Sequence, residues 1–436
     1  MALGRLPLPR VSRALLEATV LDATVKGVPA HAGAVRLDAI ATMRWNLLKG
    51  DLPLPAAVIR KARLDANNAW MAGFLKANGL HIAPHGKTTM APQLFAMQME
   101  AGAWAITVAT TQQMAVCRTF GIPRVVIANQ PIGHAAIDAC FTALAGDDGF
   151  ELYVLADSLD VVEAYAEGAR RAKVPRPLGV LVEMGVADGR TGLRDRIAAL
   201  NVARAVVKSP GLSLAGIECF EGILGDIPAV DRLLDDVLAV AIAAAKDGLF
   251  AKHAPIVLSA GGSAFYDRVG EHFASAEFGG RPLIKLIRSG CYLTHDTLGY
   301  AASHERILRE TKLKLPLGRL EAALEVWAYV QSRPEPTKAI LTMGKRDVSH
   351  DAGLPAPIHW FRPGKMSKPE PMPFGHQVTA LNDQHCHMAV PRESPLAVGD
   401  MVGFGIGHPC TTFDKWQLMM IVDEDYAVID AIRTFF

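Results

Sequence analysis

Two segments of the sequence combine residue types that could carry out covalent and metal chemistry. The first, Pro84-His85-Gly86-Lys87-Thr88-Thr89, places a lysine two residues after a histidine. In an extended segment this spacing puts both side chains on one face. A lysine removed from solvent has a lowered pKa and can act as an amine nucleophile that forms a Schiff base. The alternative for so short a motif is a surface lysine beside a solvated histidine.

The second segment is Gly407-His408-Pro409-Cys410-Thr411. Because Pro409 disfavours a helical conformation of the residue before it, we expect His408 and Cys410 to be extended and to project to the same side. Imidazole and thiolate together favour Zn²⁺ over Mg²⁺, and two protein ligands leave positions open for water or substrate. The alternative is a buried cysteine beside a hydrogen-bonded histidine. A histidine-rich stretch at 383–387 is expected to support this site or to pack in a strand.

Two glycine-rich segments could bind an anion. They are Ser259-Ala260-Gly261-Gly262-Ser263 and Ser289-Gly290-Cys291-Tyr292. Glycine lets backbone N–H groups approach an anion closely, and hydroxyl groups can complete its coordination. A further segment, 183–192, contains Arg190, whose guanidinium could supply a fixed positive charge. For each segment alone, a flexible turn or a charged loop is the alternative.

Alternating strand and helix patterns predict how these segments are positioned. Eight short apolar runs, interpreted as strands, begin at residues 81, 104, 124, 151, 178, 212, 255 and 283, and helix-length patterns separate most of them. This predicts a (β/α)8 TIM-like barrel, with an open doubly wound sheet as the alternative. The lysine segment then follows strand one and Arg190 follows strand five. The glycine-rich segments follow strands seven and eight, where barrels commonly bind phosphate.

Length, charge and composition limit the classes of protein to consider. The 436 residues are 50% hydrophobic and carry a net charge of +1, so long-range attraction to nucleic acid or an anionic membrane is not expected. The longest apolar run, 237–245, is too short to span a bilayer and is interpreted as a buried helix. We predict an N-terminal extension (1–50), the barrel (51–306) and a mostly antiparallel C-terminal β domain (307–436).

The cysteines and the N-terminus bear on cellular location. The six cysteines are scattered without a CxxC pair, so we interpret them as reduced thiols. Pro7 and Pro9 interrupt the arginines of the N-terminus, and no apolar signal core follows them. We therefore expect a cytoplasmic protein.

The motifs PHGKTT, SAGGS, RSGCY and HPCTTFDKW, in this order, resemble those of the D-serine dehydratase and D-threonine aldolase family. The resemblance extends from about residue 55 to the end. It implies a fold-type III pyridoxal phosphate enzyme with an alanine-racemase-like barrel. Relatives of this fold are commonly dimers, so we expect a homodimer.

The resemblance also implies roles for individual residues. Lys87 would form a Schiff base with pyridoxal phosphate, with His85 close by as a second group able to remove a proton. Arg190 would face the pyridine nitrogen and so leave the ring unprotonated. The metal, expected to be Zn²⁺ with another divalent cation as the alternative, would bind His408 and Cys410. The remaining cofactor contacts would come from the glycine-rich segments, at Ser259, Gly261, Gly262, Ser263, Ser289, Gly290 and Tyr292.

By the same resemblance, the substrate would be a D-β-hydroxy amino acid. Loss of its hydroxyl as water would give a 2-oxo acid and ammonia, whereas removal of the hydroxyl proton would give glycine and an aldehyde. Cys410 favours the dehydratase outcome, since aldolases of this family more often carry an aspartate there. Aldolase is the alternative and racemase a more remote one. Thr88-Thr89-Met90 departs from the family's Thr-His-Lys, which leaves open a substrate other than D-serine.

Overall fold

The computed structural model describes residues 16–252 and 254–436. They form a barrel of eight parallel strands and a domain built on mostly antiparallel strands, which confirms the predicted fold. Among these residues, no helix combines the length and the apolar character needed to cross a bilayer. The prolines and arginines used above to argue against a signal peptide lie outside the described residues.

The barrel confirms all eight predicted strands. Two short strands, β1 (Val20–Leu21) and β2 (Val35–Arg36), and a third, β3 (Ala56–Arg60), precede it. The barrel strands are β4 (His81–Ile82), β5 (Ile106–Val108), β6 (Arg124–Ile127), β7 (Glu151–Ala156), β8 (Leu178–Met184), β9 (Leu212–Cys219), β10 (Ile256–Ala260) and β11 (Leu283–Ile287). Neighbours pair in parallel from β5 through β11 to β4. A parallel bridge between His85 and Thr107 then joins β4 to β5, so the barrel is closed.

Helices connect the strands and cover the barrel. They are α1 (Lys61–Asn78), α2 (Pro92–Glu100), α3 (Thr111–Thr119), α4 (His134–Ala145), α5 (Leu159–Ala172), α6 (Arg196–Lys208), α7 (Ile227–Lys246), α8 (Tyr266–Phe273) and α9 (Gly299–Glu310). The Asp226 side chain caps α7 by accepting a hydrogen bond from the Ala229 N–H, which satisfies a backbone donor that has no partner within the helix. Residues 237–245 lie in α7, and the helix buries residues three and four apart, as predicted.

The second domain confirms the predicted antiparallel pattern. Its strands are β12 (Leu324–Glu335), β13 (Lys338–Leu341), β14 (Ala356–Phe361), β15 (Glu370–Pro371), β16 (Gln377–Leu381), β17 (Cys386–Ala389), β18 (Met401–Gly405), β19 (Leu418–Val422) and β20 (Val428–Arg433). A short helix, α10 (Cys410–Phe413), lies between β18 and β19. In the histidine-rich stretch, Cys386 is buried in β17, so this part of the stretch packs in a strand.

Strand β3 belongs to the second sheet although it precedes the barrel in sequence. It pairs antiparallel with β12, where Ile59 faces Leu324, and parallel with β19, where Ile59 faces Ile421. The predicted boundary at residue 51 assigns these five residues to the barrel, whereas they pair with strands of the second sheet. Their partners lie more than 260 positions away, and no local pattern in the sequence indicates such a pairing. The other predicted boundaries remain predictions.

Candidate active site

A cavity with a volume of about 390 Å³ is lined both by residues that follow barrel strands and by residues from the start of α10. Helix α10 also contacts the turn after β4. The structure therefore brings the two chemically distinct segments of the sequence to one place. The predicted site residues that line the cavity are His85, Lys87, Arg190, Gly262, Ser263, Gly290, His408 and Cys410.

Four residues predicted to bind the cofactor phosphate do not line this cavity: Ser259, Gly261, Ser289 and Tyr292. Their polar groups make other contacts. Ser289 Oγ donates to the Gly262 carbonyl oxygen at 2.8 Å, and the Tyr292 hydroxyl donates to Asn68 Oδ1 at 3.2 Å. These four residues therefore lie behind the cavity wall in this structure, and their contact with a cofactor stays a prediction. The motif showed hydroxyl groups but not which side of the wall they face.

The lysine segment forms a 3-10 turn, Gly86–Thr88, so the spacing of side chains in an extended strand does not apply to it. The turn is closed by a hydrogen bond from the Thr88 N–H to the His85 carbonyl oxygen. His85 and Lys87 nevertheless both reach the cavity. Burial holds the pKa of His85 well below its usual range, and the positive charges of Lys87 and Arg288 lower it further. His85 is therefore neutral, and its buried Nδ1 has no hydrogen-bond partner among the described residues.

Arg190 supplies the predicted positive charge at the cavity. Its guanidinium carbon lies 4.6 Å from the ring centroid of Phe220, which also lines the cavity. This distance is typical of a cation–π contact. The next residue, Thr191, donates to Glu183 Oε1 at 2.9 Å and so fixes the loop to the end of β8. Arg190 is thus held by an aromatic face on one side and by its loop on the other.

Three charged residues that line the cavity were given no role from the sequence: Glu183, Glu218 and Arg288. Arg288 is 2% exposed, and its Nη2 lies 2.7 Å from Glu218 Oε2. Burial raises the pKa of Glu218 to about 8, although the charge of Arg288 opposes this. All three residues lie within or directly after apolar strands. A charged residue at the C-terminal end of a barrel strand was the signal that could have identified them.

The first glycine-rich segment already binds an internal carboxylate. Glu221 accepts hydrogen bonds from the N–H groups of Gly261 at 2.8 Å and Gly262 at 2.9 Å. Burial raises the pKa of Glu221, and these hydrogen bonds offset only part of the rise. Two N–H groups predicted to bind phosphate are therefore engaged by the protein itself. The part of this segment left for a ligand is the cavity wall formed by Gly262 and Ser263.

His408 and Cys410 lie together at the start of α10. Pro409 adopts helical backbone angles and Cys410 begins the helix, so the prediction that Cys410 is extended is wrong. Proline is well tolerated at the first turn of a helix, and here it starts one instead of preventing it. His408 Nδ1 lies 2.6 Å from Asp351 Oδ2, and the Thr411 hydroxyl holds the other oxygen of that carboxylate.

The ionisation of this pair follows from its contacts. The hydrogen bond to Cys410 raises the pKa of His408 to about 9, and Asp351 adds to the effect. The hydrogen bond from Cys291 lowers the pKa of Cys410 to about 4, as does the contact with His408. Both directions describe a thiolate beside an imidazolium. Across residues 16–252 and 254–436, no group of three or more His, Cys, Asp or Glu side chains is placed to hold a metal ion, so a metal here would rest on two protein donors.

Comparison with known proteins agrees with the resemblance seen in the motifs. A family model described as "Putative serine dehydratase domain" matches residues 323–422. The chain is 26% identical to a D-threonine aldolase of Arthrobacter sp over 371 residues, which are 84% of this chain and 88% of the relative. It is 24% identical to a 3-hydroxy-D-aspartate aldolase of Paracoccus denitrificans (strain Pd 1222) over 313 residues, 70% of this chain and 76% of the relative.

Solved structures with the same fold carry similar names. A D-threonine aldolase from Filomicrobium marinum aligns with a TM-score of 0.72 at 21% identity, covering 88% of this chain and 95% of that one. D-threo-3-hydroxyaspartate dehydratase from Delftia sp. HT23 aligns with a TM-score of 0.67 at 22% identity, covering 89% and 99%. A cysteine-to-alanine mutant named D-threo-3-hydroxyaspartate dehydratase, in the metal-free form, aligns with a TM-score of 0.66 at 22% identity, covering 90% and 99%. The resemblance to the D-serine dehydratase and D-threonine aldolase family is confirmed.

Proposed function

We propose that this protein is a pyridoxal phosphate-dependent lyase that acts on D-β-hydroxy amino acids. The observation that carries the proposal is that Lys87 and the His408–Cys410 pair line one cavity. The two segments are also in contact, since Cys410 Sγ lies 3.3 Å from the hydroxyl of Thr88, the neighbour of Lys87. An amine nucleophile and a histidine–cysteine pair that can bind a metal ion, together in one cavity, suit cleavage of a bond next to a hydroxyl-bearing carbon.

The residues of the cavity fit pyridoxal phosphate. Lys87 would attach the cofactor through its amine, and Arg190 would lie at the ring. Gly262, Ser263 and Gly290 would contact the phosphate. At position 290 a Cβ atom would lie only 2.6 Å from that of His85, so only glycine keeps this wall open. When bound, the cofactor would supply an electron-withdrawing ring that stabilises negative charge on the substrate Cα.

The chain's own groups can handle the protons of such a reaction. His85 is neutral and its Nδ1 has no hydrogen-bond partner among the residues that the structure describes, so this atom can accept a proton or hold a substrate group. His408 and Cys410 would bind Zn²⁺, a donor set that suits this ion. Asp351 holds His408 Nδ1, which leaves Nε2 as the nitrogen for the metal and fixes the ring. A metal at this point would stabilise charge on the substrate's β-oxygen.

We propose the dehydratase outcome, with aldolase as the second candidate. Thiolate ligation by Cys410 supports the dehydratase in this family. The names of the two relatives, D-threonine aldolase and 3-hydroxy-D-aspartate aldolase, favour the second candidate. Because the two reactions share cofactor, metal and fold, only the products separate them. A homodimer in the cytoplasm remains part of the proposal, and light scattering on the purified protein tests the oligomeric state.

Product analysis over a panel of D-β-hydroxy amino acids tests the proposal. We expect ammonia and a 2-oxo acid, loss of activity on chelation and recovery with Zn²⁺. Glycine and an aldehyde would show an aldolase instead. Racemised substrate, formed with no need for metal, would overturn the lyase assignment.

A second experiment tests the cofactor itself. Lys87→Ala should abolish the absorbance of protein-bound pyridoxal phosphate and the adduct trapped by borohydride. Lys76→Ala, at an exposed position in α1, should leave both unchanged and serves as the matched control. An unaltered spectrum in Lys87→Ala would refute the cofactor assignment.

A further inference from the structure

Two thiols from different domains meet at the cavity. Cys291 lies a few residues after the last barrel strand, β11, and Cys410 begins α10 in the second domain. Their Sγ atoms are 3.8 Å apart, and both residues line the cavity. The other four cysteines are buried, and none of them lines this cavity. Cys291 is 5% exposed.

We propose that Cys291 and Cys410 form a modification site, at which hydrogen peroxide converts the two thiols into a reversible disulfide. The Cys410 thiol loses its proton and its sulfur attacks one oxygen of the peroxide, the O–O bond breaks, and the released hydroxide takes up a proton as water. Cys410 is then a sulfenic acid. The Cys291 thiol loses its proton and attacks the Cys410 sulfur, the S–O bond breaks, and the leaving oxygen departs as a second water. Two electrons pass from sulfur to peroxide.

The geometry favours the second step over further oxidation. An S–S bond is about 2.05 Å long, so the sulfur atoms must approach by roughly 1.8 Å from their present separation. Cys410 lies in a helix of only four residues, which has little structure of its own to resist such a shift. Because Cys291 already lies beside Cys410, a sulfenic acid would form next to the thiol that resolves it.

A disulfide here would also prevent His408 and Cys410 from binding a metal ion together, a consequence that rests on the proposed function. Cys410 cannot bind a metal as a thiolate while its sulfur is bonded to Cys291. Oxidation should therefore release the metal and stop the reaction, and a thiol reductant should restore both. The disulfide itself requires neither metal nor cofactor, so the two parts can be tested separately.

Thiol counting and peptide mapping test the modification. The full, reduced chain has six thiols. After treatment with hydrogen peroxide and alkylation in denaturant, we expect four alkylated thiols, a peptide pair linked through Cys291 and Cys410, and return to six with dithiothreitol. Cys291→Ser and Cys410→Ser should each abolish the linked pair. Cys386→Ser, at a buried position in β17, should retain it and controls for the loss of any one thiol.

Two results would overturn the proposal. One is survival of all six thiols under conditions that oxidise free cysteine, and the other is oxidation of Cys410 beyond the sulfenic acid while Cys291 stays free. Zinc content per chain is measured on the same samples. A linked pair with unchanged zinc and activity would support the modification but refute the metal role of Cys410, so failure of the proposed function is recognised separately.

Discussion

The packing at Gly290 predicts that a single methyl group will displace the turn that carries Lys87. A Cβ atom there would lie 2.6 Å from His85 Cβ, 2.7 Å from the His85 carbonyl oxygen and 2.8 Å from Thr88 Oγ1. Ordinary contacts begin near 3.4 Å, so the turn must move by about 0.8 Å. Two of these three atoms belong to or adjoin the backbone, which cannot rotate away as a long side chain can.

Overpacking of this kind typically costs about 1–3 kcal/mol. We expect Gly290→Ala to lower the free energy of unfolding in urea by that amount. Gly225→Ala is the matched control, because a Cβ atom at that position meets nothing within 4 Å. We expect the control to be unchanged or slightly more stable.

The same variant tests whether the turn positions the amine. If Lys87 attaches pyridoxal phosphate, a shift of the turn should weaken the cofactor's binding, measured as borohydride-trapped adduct against cofactor concentration. Equal stability and equal labelling of Gly290→Ala and Gly225→Ala would refute the reasoning, since it would show that the wall at Gly290 yields without moving the turn.

Three further predictions concern charged groups. Asp351→Asn should weaken zinc binding about 10–100-fold, because Asp351 orients His408. Calorimetric titration with Zn²⁺ measures this, and an unaltered affinity would contradict it. Lys26→Met should lower the free energy of unfolding by about 1–3 kcal/mol, since it would leave the buried carboxylate of Asp347, 2.6 Å from Lys26, without its charged partner; an unchanged urea midpoint would contradict this. Burial raises the pKa of Glu218 to about 8, so stability present below its unfolded pKa of 4.5 is lost as pH rises through 8. Glu218→Gln should remove roughly 3–4 kcal/mol of that loss between pH 5 and 8, and equal pH profiles of variant and wild type would oppose it.

The barrel could be predicted because its signal is local. Each strand is a short apolar run, and each helix has apolar residues three and four positions apart, as in α7. Each element can therefore be recognised within a window of about 18 residues. The pairing of β3 could not be predicted in this way. Its partners β12 and β19 lie at the other end of the chain, and an apolar run alone does not identify the sheet that it joins.

The candidate site was predicted by residue type better than by conformation. Four residues could be chosen from the sequence because each follows a barrel strand or lies in a distinctive motif. All four line the cavity: Lys87, Arg190, His408 and Cys410. The extended conformation predicted for Cys410 was wrong, and Lys87 lies in a turn, since spacing alone does not separate a strand from a tight turn. The contact of Cys291 with Cys410 depends on how the two domains meet, which no local pattern records.

The position of β3 means that the second domain does not correspond to one continuous piece of chain. β3 hydrogen bonds to β12 on one side and β19 on the other, so it fills the middle of that part of the sheet. During synthesis, β3 emerges early and its partners emerge after the whole barrel, so its backbone donors and acceptors stay unpaired until the last strands are made. A fragment that begins at residue 307 would expose two unpaired strand edges where β3 belongs, and such edges promote aggregation.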